Sequence, residues 1–187
     1  MTTHSDLSAR SVISPGFREQ VRAFGCAVSH GLTPSGTERF RVLREKGIGG
    51  SEIAAVMGLS PWASPFSTWH RKARPGSGFG ETPQSEAMYW GTVDEPAIGR
   101  RFADLHPEYA VIEAPLYTSR ARPWQIASPD RILVDVESGE RSVLEIKTSR
   151  YDDAWREGIP IQYRCQVLWY LDVLELDRAI IACRFGG

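Results

Sequence analysis

The sequence predicts a mixed α/β fold in which a central mixed sheet is flanked by helices. Residues 85–105 carry apolar side chains at helical spacing, at Val93, Ile98, Phe102 and Leu105. The residues that follow change to short β-branched and aromatic runs separated by turn signals. A second helical segment, 160–174, precedes a last strand, 178–185. The order helix, three strands, helix, strand is typical of a mixed sheet with helices packed on it.

The first 36 residues differ in composition from the rest of the chain and are rich in Ser, Thr, Gly and Pro. They favour a flexible N-terminal arm with one short helix around residues 17–27. The composition changes at Thr37. We expect residues 37–187 to form a single domain that stops directly after its last core strand and is C-terminally short.

Three short helices are predicted between residues 37 and 73, with Thr37, Ser51 and Ser64 as their N-caps. Glycines end the first helix and precede the second, and proline follows the third cap at the favoured first helical position. A flexible loop is predicted over 74–83.

The strand-forming runs are residues 109–118, 124–128, 131–136 and 142–148. The middle two are one strand that is interrupted at the segment Ser128-Pro129-Asp130-Arg131. A further short helix is predicted over 151–157.

The composition excludes several classes of protein. Hydrophobic residues make up 42% of the 187 residues and charged residues 24%, which is ordinary for a globular protein and excludes a disordered chain or a collagen-like repeat. No apolar run approaches the roughly 18 residues that span a bilayer, so no membrane partner is expected. The N-terminus lacks the apolar segment of a secretion signal, and three widely spaced cysteines make neither a disulfide framework nor a zinc knuckle. A reducing cytoplasm is therefore expected.

The net charge of −1 does not by itself indicate a nucleic-acid partner. All but three of the 22 basic residues are arginines, whose fork binds phosphate bidentately, although a bias in genome composition would give the same count. Residues 37–74 carry seven Lys or Arg side chains against three acidic ones, so the segment around Ser51 is locally basic.

One predicted strand contains a carboxylate and an ammonium group two residues apart. Because side chains alternate along a strand, Glu145 and Lys147 point to the same face. Among apolar neighbours these charges are costly unless they are paired or bind a metal. Asp130 on the neighbouring strand can meet Glu145, and two converging carboxylates suit Mg²⁺. On these residues alone, a half-buried Glu–Lys pair on an edge strand remains an equal alternative.

Several motifs resemble one known group of nucleases. The pair Pro129-Asp130 followed by Glu145-Ile146-Lys147 is similar to the motif of the PD-(D/E)XK nuclease superfamily. Further motifs resemble the YqaJ-like viral recombinase family, relatives of the phage lambda exonuclease. They are Gly49-Gly50-Ser51-Glu52-Ile53-Ala54-Ala55, Leu59-Ser60-Pro61-Trp62 with Ser64-Pro65, Trp90-Gly91-x-x-x-Glu95-Pro96, and Tyr163-x-x-Gln166-Val167. The resemblance extends over residues 44–182 and implies a restriction-endonuclease-like core with the order α-β-β-β-α-β.

The resemblance also implies a role for each matching residue. The implied metal site, for Mg²⁺ or alternatively Mn²⁺, consists of Glu95, Asp130, Glu145 and Ile146. The implied catalytic residues are Glu95, Asp130, Glu145, Lys147 as the catalytic lysine, and Gln166, which orients the water or the scissile strand. The implied substrate-binding residues are Arg44, Ser51 and Tyr163, of which Arg44 and Ser51 hold a 5′-terminal phosphate.

The function implied by the resemblance is a Mg²⁺-dependent deoxyribonuclease that degrades double-stranded DNA from 5′ to 3′ in phage-type homologous recombination. Its implied partners are double-stranded DNA ends, a single-strand annealing protein and further copies of the chain in a homotrimer. Its implied location is the cytoplasm of a bacterial host, with the gene bacterial or phage-encoded. Two alternatives remain open: a structure- or site-specific endonuclease on the same fold, and a catalytically vestigial module for DNA binding or assembly.

Several of these residues also have ordinary structural interpretations. Glu95 could be a solvated helix residue, and Tyr163 and Gln166 are spaced like any helix face. The tryptophans at 62, 69, 90 and 169 are expected in the core rather than as stacking surfaces for bases, and Trp62 is the expected exception because it lies in a loop.

Overall fold

The computed structural model describes residues 14–75 and 85–186. Residues 1–13 of the predicted arm, and residues 76–84, which include most of the predicted loop, lie outside the described residues. The helices are α1 (Pro15–Arg22), α2 (Glu38–Glu45), α3 (Gly50–Val56), α4 (Pro65–Ala73), α5 (Glu86–Leu105) and α6 (Ile161–Leu174). The strands are β1 (Ala27–Ser29), β2 (Ile48–Gly49), β3 (Tyr109–Glu113), β4 (Tyr117–Ser119), β5 (Gln125–Ala127), β6 (Arg131–Asp135), β7 (Arg141–Ser149) and β8 (Ala179–Phe185).

The strands form two mixed sheets of four strands each. The main sheet has the order β3-β6-β7-β8, in which β3, β6 and β7 are antiparallel neighbours and β8 runs parallel to β7. The second sheet has the order β1-β4-β5-β2, in which β2 runs parallel to β5. Around the main sheet the chain order is α5, β3, β6, β7, α6, β8. This confirms the predicted α/β class and the predicted order of helix, three strands, helix and strand.

Three elements of the predicted order differ in detail. The runs 124–128 and 131–136, predicted as one interrupted strand, are β5 and β6, which belong to different sheets. The run predicted as one strand over 109–118 is two strands in different sheets, because Pro115 between them has no N–H to continue a ladder. The helix predicted over 151–157 is a short 3₁₀ turn, Asp153–Trp155. Gly158 follows it at φ 107°, a backbone conformation that does not continue a helix.

The predicted flexible arm is partly built into the fold. The side chain of Ser14 caps α1 by accepting a hydrogen bond from the Phe17 N–H at 3.2 Å. Val21 and Phe24 are buried in the larger core cluster, and β1 pairs antiparallel with β4. Within residues 14–36, α1 confirms the predicted short helix, but the prediction that this segment is flexible is wrong, because α1 and β1 pack against the core.

Two of the three predicted N-caps are confirmed. Thr37 accepts a hydrogen bond from the Phe40 N–H at 3.2 Å, and Ser64 accepts one from the Ser67 N–H at 3.1 Å. The prediction of Ser51 as a cap is wrong, since α3 begins at Gly50 and Ser51 lies within its first turn. The first turn of α3 is held instead by the longer side chain of Glu52, which reaches back to the N–H of Gly49.

Both faces of β7 are covered. Val143 packs with Tyr170 of α6 in the larger core cluster, whereas Leu144 packs with Phe102 of α5 in a second cluster. A strand that is buried on both faces normally consists of apolar residues, so a charged residue in β7 requires a specific partner. None of the helices in the described ranges combines the length and the apolar character that crossing a bilayer requires.

The division of the tryptophans between core and surface differs from the prediction. Trp169 packs beside the larger core cluster, and Trp62 is exposed as predicted for the loop residue. The expectation of core positions is wrong for Trp69 and Trp90, which are exposed because α4 and the first turns of α5 lie at the surface.

Candidate active site

A buried glutamate on β7 is the centre of the candidate site. Glu145 is 2% exposed and faces α6. Its Oε1 accepts hydrogen bonds from Lys147 Nζ at 2.6 Å and from Gln166 Nε2 at 2.5 Å. Gln166 also donates to the hydroxyl of Tyr170 one turn later on α6, at 2.8 Å. The structure thus brings together Glu145, Lys147 and Gln166, which the sequence analysis singled out separately.

The side chain of Asp130 lies at the same site and comes from the start of the adjacent strand. It lies directly before β6, and its Oδ2 accepts a hydrogen bond from the N–H of Ile146 at 2.6 Å. Burial, and then the charges of Glu145 and Glu95, raise the pKa of Asp130 well above its usual range. The predicted convergence of Asp130 on Glu145 is therefore present in the fold.

The charges in this cluster influence one another. Burial raises the pKa of Glu145, and the attraction of Lys147 opposes but does not cancel that effect. Burial would lower the pKa of Lys147, but the attraction of Glu145 outweighs it and raises the pKa, which keeps the lysine protonated. Within the described part of the chain, the ammonium group of Lys147 therefore acts on both buried carboxylates, which leaves this pair with more negative than positive charge.

Glu95 lies near this cluster and is paired with an arginine. Its Oε1 forms an ion pair with Arg131 Nη1 at 2.7 Å. The same nitrogen donates to the main-chain carbonyl of Asp130 at 2.7 Å. The structure therefore places Glu95 near the site on α5 without joining it to Asp130 and Glu145, and Arg131 is a residue of the site that the sequence analysis did not single out.

The oxygen atoms of the cluster fit a divalent cation. Glu145 Oε2 is buried and has no hydrogen-bond partner within residues 14–75 and 85–186, which is costly for a carboxylate. Among the described residues, no three His, Cys, Asp or Glu side chains are arranged to hold a metal ion together. Asp130, Glu145 and the main-chain carbonyl of Ile146 would nevertheless supply oxygen donors only, the kind that Mg²⁺ prefers. The predicted metal ligands stay a prediction.

A second cluster lies where α2, β2 and α3 meet. Arg44 Nη2 donates to Ser51 Oγ at 2.9 Å, and Arg44 Nη1 donates to Ser128 Oγ at 3.4 Å. The predicted pair of Arg44 and Ser51 is therefore in contact. Ser128, two residues before Asp130, joins the two clusters, although the sequence analysis quoted it only as part of a strand interruption.

Glu52 holds the guanidinium of Arg44 in this position. Glu52 Oε2 accepts from Arg44 Nη2 at 3.0 Å and from the Gly49 N–H at 2.8 Å, while Oε1 pairs with Arg71 at 2.8 Å and with Lys72 at 3.0 Å. Burial acts to raise the pKa of Glu52, but the charges of Arg44 and Lys72 outweigh burial and hold the pKa below its usual range. Glu52 was visible in the glycine-turn motif but had no assigned role.

The glycine turn allows the two clusters to lie side by side. A Cβ at Gly49 would lie 2.1 Å from the Arg44 guanidinium, and a Cβ at Gly50 would lie 2.4 Å from the ring of Tyr170. Tyr170 in turn holds Gln166. A larger residue at Gly49 would displace the Arg44 guanidinium, and one at Gly50 would push α3 away from the helix that carries Gln166.

Tyr163, predicted to bind substrate, borders the first cluster. The Lys147 Nζ lies 5.1 Å from the centroid of its ring, within the range of a cation–π interaction. Tyr163 lies one helical turn before Gln166, so α6 contributes both residues to the same side of the site.

Comparisons with known proteins identify the family of this chain. The sequence model of the YqaJ-like viral recombinase domain matches residues 39–177. The uncharacterized protein YqaJ of Bacillus subtilis (strain 168) is 34% identical over 164 residues, which cover 80% of this chain and 47% of that protein. The chain thus spans about half the length of this curated relative.

Two solved structures share the fold. The crystal structure of an alkaline exonuclease, LHK-Exo from Laribacter hongkongensis, superposes with a TM-score of 0.65 at 21% identity and covers 80% of this chain and 74% of that one. The structure of LHK-Exo in complex with dAMP gives a TM-score of 0.63 at 21% identity, over 79% of this chain and 73% of that one. At this identity the match shows the restriction-endonuclease-like fold.

Proposed function

Because this chain belongs to the YqaJ-like viral recombinase domain family, we propose that it is a DNA nuclease that acts in recombination. It hydrolyses phosphodiester bonds at the ends of double-stranded DNA and removes nucleotides from the 5′ end. The observation that carries the proposal is the buried Glu145, which has an orphaned oxygen beside Asp130 and hydrogen bonds to Lys147 and Gln166. The likeness to an alkaline exonuclease, one structure of which holds dAMP, supports the same reaction.

The proposed cofactor is Mg²⁺, with Mn²⁺ as a substitute. Asp130, Glu145 and the carbonyl of Ile146 would hold it, and Glu95 is the further carboxylate available on α5. When bound, the cation would polarise a phosphoryl oxygen and lower the pKa of a water molecule. The orphaned oxygen of Glu145 and the raised pKa of Asp130 both support a site that takes up positive charge.

The chain's own residues would perform the remaining tasks. Lys147 stays protonated beside Glu145, so its charge can stabilise the negative charge that develops on the phosphate during attack. Gln166 fixes the orientation of the Glu145 carboxylate through its amide, and Tyr170 fixes Gln166. The hydrogen bonds from Gln166 to Glu145 and to Tyr170 are both already formed by side chains of α6, so reaching the transition state needs little rearrangement of protein groups.

The 5′ polarity is proposed from the second cluster. Arg44, Ser51 and Ser128 present a guanidinium and two hydroxyl groups, the donors that bind a phosphate monoester. A 5′-terminal phosphate held there would place the first phosphodiester bond of that strand beside Asp130. Removal of the 5′ strand leaves a 3′ overhang, which is the substrate for the proposed annealing partner. A homotrimer, which would encircle the duplex, is proposed on family grounds alone.

The test compares DNA substrates that differ only at their ends. Purified protein with Mg²⁺ is given linear duplexes with a 5′-phosphate or a 5′-hydroxyl, and a covalently closed circle. We expect release of mononucleotides from the phosphorylated end, slower release from the hydroxyl end and no cleavage of the circle. Cleavage of the circle would favour the endonuclease alternative.

The matched variants are Glu145→Gln and Glu140→Gln, which change the same residue type in β7 and in the exposed turn before it. Glu145→Gln should abolish hydrolysis and Glu140→Gln should leave it unchanged. Full activity in Glu145→Gln would refute the proposed site.

A further inference from the structure

A row of four aromatic side chains extends from the candidate active site across the surface. The ring centroids of Trp62 and Tyr163 lie 6.2 Å apart, those of Tyr163 and Trp155 lie 5.4 Å apart and nearly parallel, and those of Trp155 and Phe185 lie 5.8 Å apart. The residues come from four separate segments: the loop before α4, the start of α6, the 3₁₀ turn and the end of β8. We call this row the aromatic strip.

The aromatic strip lies outside the core. Trp62 is 69% exposed and Phe185 is 46% exposed, and none of the four belongs to either buried cluster of the described residues. Large exposed aromatic groups are costly in water, so a contiguous row of them indicates a binding surface. The aromatic strip therefore has ring area available to a ligand.

The position of the aromatic strip indicates what that ligand is. Tyr163 is a central ring of the row, and the ammonium group of Lys147 lies 5.1 Å from its centroid. Lys147 is also bonded to Glu145 at the centre of the candidate active site. Flat apolar rings next to a phosphate-directed cation match a nucleic-acid strand, in which bases and phosphates alternate. A paired base is already stacked in its helix, so the surface suits unpaired bases.

We propose that the aromatic strip stacks the unpaired nucleobases of the DNA strand that enters the active site. This inference rests on the proposed nuclease function and adds a site for the separated end of the substrate. The strip would hold the end of a frayed strand next to Lys147, and it would do so without regard to sequence, because every base has a π face.

The test measures binding in the presence of a chelator, so that no hydrolysis occurs. Three duplexes carry the same 5′-phosphorylated end: one fully paired, one with three terminal mismatches and one in which the three mismatched nucleotides of the 5′ strand are abasic. The wild-type chain should bind the mismatched end about tenfold or more tightly than the abasic end, the range expected for stacking on an aromatic ring. Because the abasic probe keeps every phosphate, the ratio of the affinities for the mismatched and abasic ends measures the contribution of the bases alone.

Trp62→Ala and Trp155→Ala should each reduce this ratio severalfold, and Trp62→Phe should restore most of it. Trp69→Ala is the matched control, because Trp69 is 61% exposed on α4 and is not part of the aromatic strip. A thermal melt of each variant excludes loss of folding as the cause. The same ratio in wild type, Trp62→Ala and Trp155→Ala would overturn the proposal. So would a change in oligomer mass in Trp62→Ala with an unchanged ratio, which would make the strip an interface between copies.

The inference and the proposed function can fail separately. A chain that hydrolyses duplex ends with Mg²⁺ but does not distinguish mismatched from abasic ends overturns the aromatic strip alone. A chain that makes this distinction in chelator, and hydrolyses no DNA with any divalent cation, keeps the stacking surface and overturns the nuclease proposal.

Discussion

Two buried glutamates give this molecule its two charged clusters, and their surroundings are opposite. Glu52 is 9% exposed and Glu145 is 2% exposed. Both oxygens of Glu52 are bonded, to three cationic side chains and one backbone N–H. Among the residues that the structure describes, Glu145 has both of its donors on one oxygen and none on the other. Accordingly the pKa of Glu52 is held below its usual range and that of Glu145 is raised above it.

This contrast separates a structural carboxylate from one that is proposed to bind a cation. Burial is similar for the two, so it does not distinguish them. What distinguishes them is whether the surrounding positive charge is complete. Glu52 is neutralised in the folded chain and orients Arg44, whereas Glu145 shares a single ammonium group with Asp130 and leaves one oxygen for a ligand.

The largest expected effect is on activity, from Glu145→Gln. Loss of a carboxylate that the proposed cation needs should reduce the hydrolysis rate about 1,000-fold or more, since a bound cation contributes several kcal/mol in the transition state. Glu52→Gln should retain far more activity. The measurement is single-turnover release of labelled mononucleotide at saturating protein. Equal losses in the two variants would contradict the distinction between the clusters.

Lys147→Ala should cause the second-largest loss of hydrolysis rate. The ammonium group is the one charged donor on Glu145, and removing a donor that stabilises developing charge costs on the order of 100- to 1,000-fold in rate. The loss should appear in the rate of the chemical step and not in the affinity for DNA ends. Lys46→Ala, which alters an exposed lysine after α2, is the control and should be unaffected.

Glu52→Gln should have the largest effect on stability. Three cations lose their common partner, and breaking a buried ion pair costs about 3 kcal/mol of unfolding free energy. Glu45→Gln removes a surface carboxylate that pairs with Arg41, and it should cost less than about 1 kcal/mol. Urea denaturation gives both values. A smaller loss for Glu52→Gln than for Glu45→Gln would refute the structural role of Glu52.

Ser51→Ala should have a smaller effect, which is limited to the preference for the 5′-terminal group of the DNA. One hydroxyl donor to a phosphate is worth about tenfold in affinity, so the preference for a 5′-phosphate over a 5′-hydroxyl should fall by that factor. Competition between the two ends in one reaction measures the preference directly. Ser35→Ala, in an exposed turn, should not change it.

The smallest effect is the pH dependence of stability. The pKa of Glu52 in the folded chain lies below its ordinary value of 4.5, so its contribution is fully present above pH 4.5 and is lost as the pH falls through the folded pKa. The difference in unfolding free energy between wild type and Glu52→Gln should therefore be constant from pH 7 to about 5 and shrink below 4.5. A difference that grows on acidification would mean that Glu52 is not an ionised partner of the three cations.

Much of the fold was predictable because its signals are local. The change from helical to strand periodicity near residue 109, and the caps at Thr37 and Ser64, depend on neighbours a few residues away. One error has a long-range cause, because α1 and β1 are held by packing against β4. The other errors are local: Pro115 interrupts a ladder, Gly158 does not continue a helix, and Glu52 bonds to the N–H of Gly49 three residues earlier.

The spacing of Glu145 and Lys147 on a strand puts both on one face, so the amino-acid sequence alone specifies that pair. The partners of each carboxylate depend on the packing of the whole fold. Arg71 and Lys72 on α4 reach Glu52, and Arg131 on β6 reaches Glu95, from positions distant in the chain. The electrostatic environment of a buried group is the sum of the contributions of all charges that the fold brings near it, and no local sequence pattern specifies that sum.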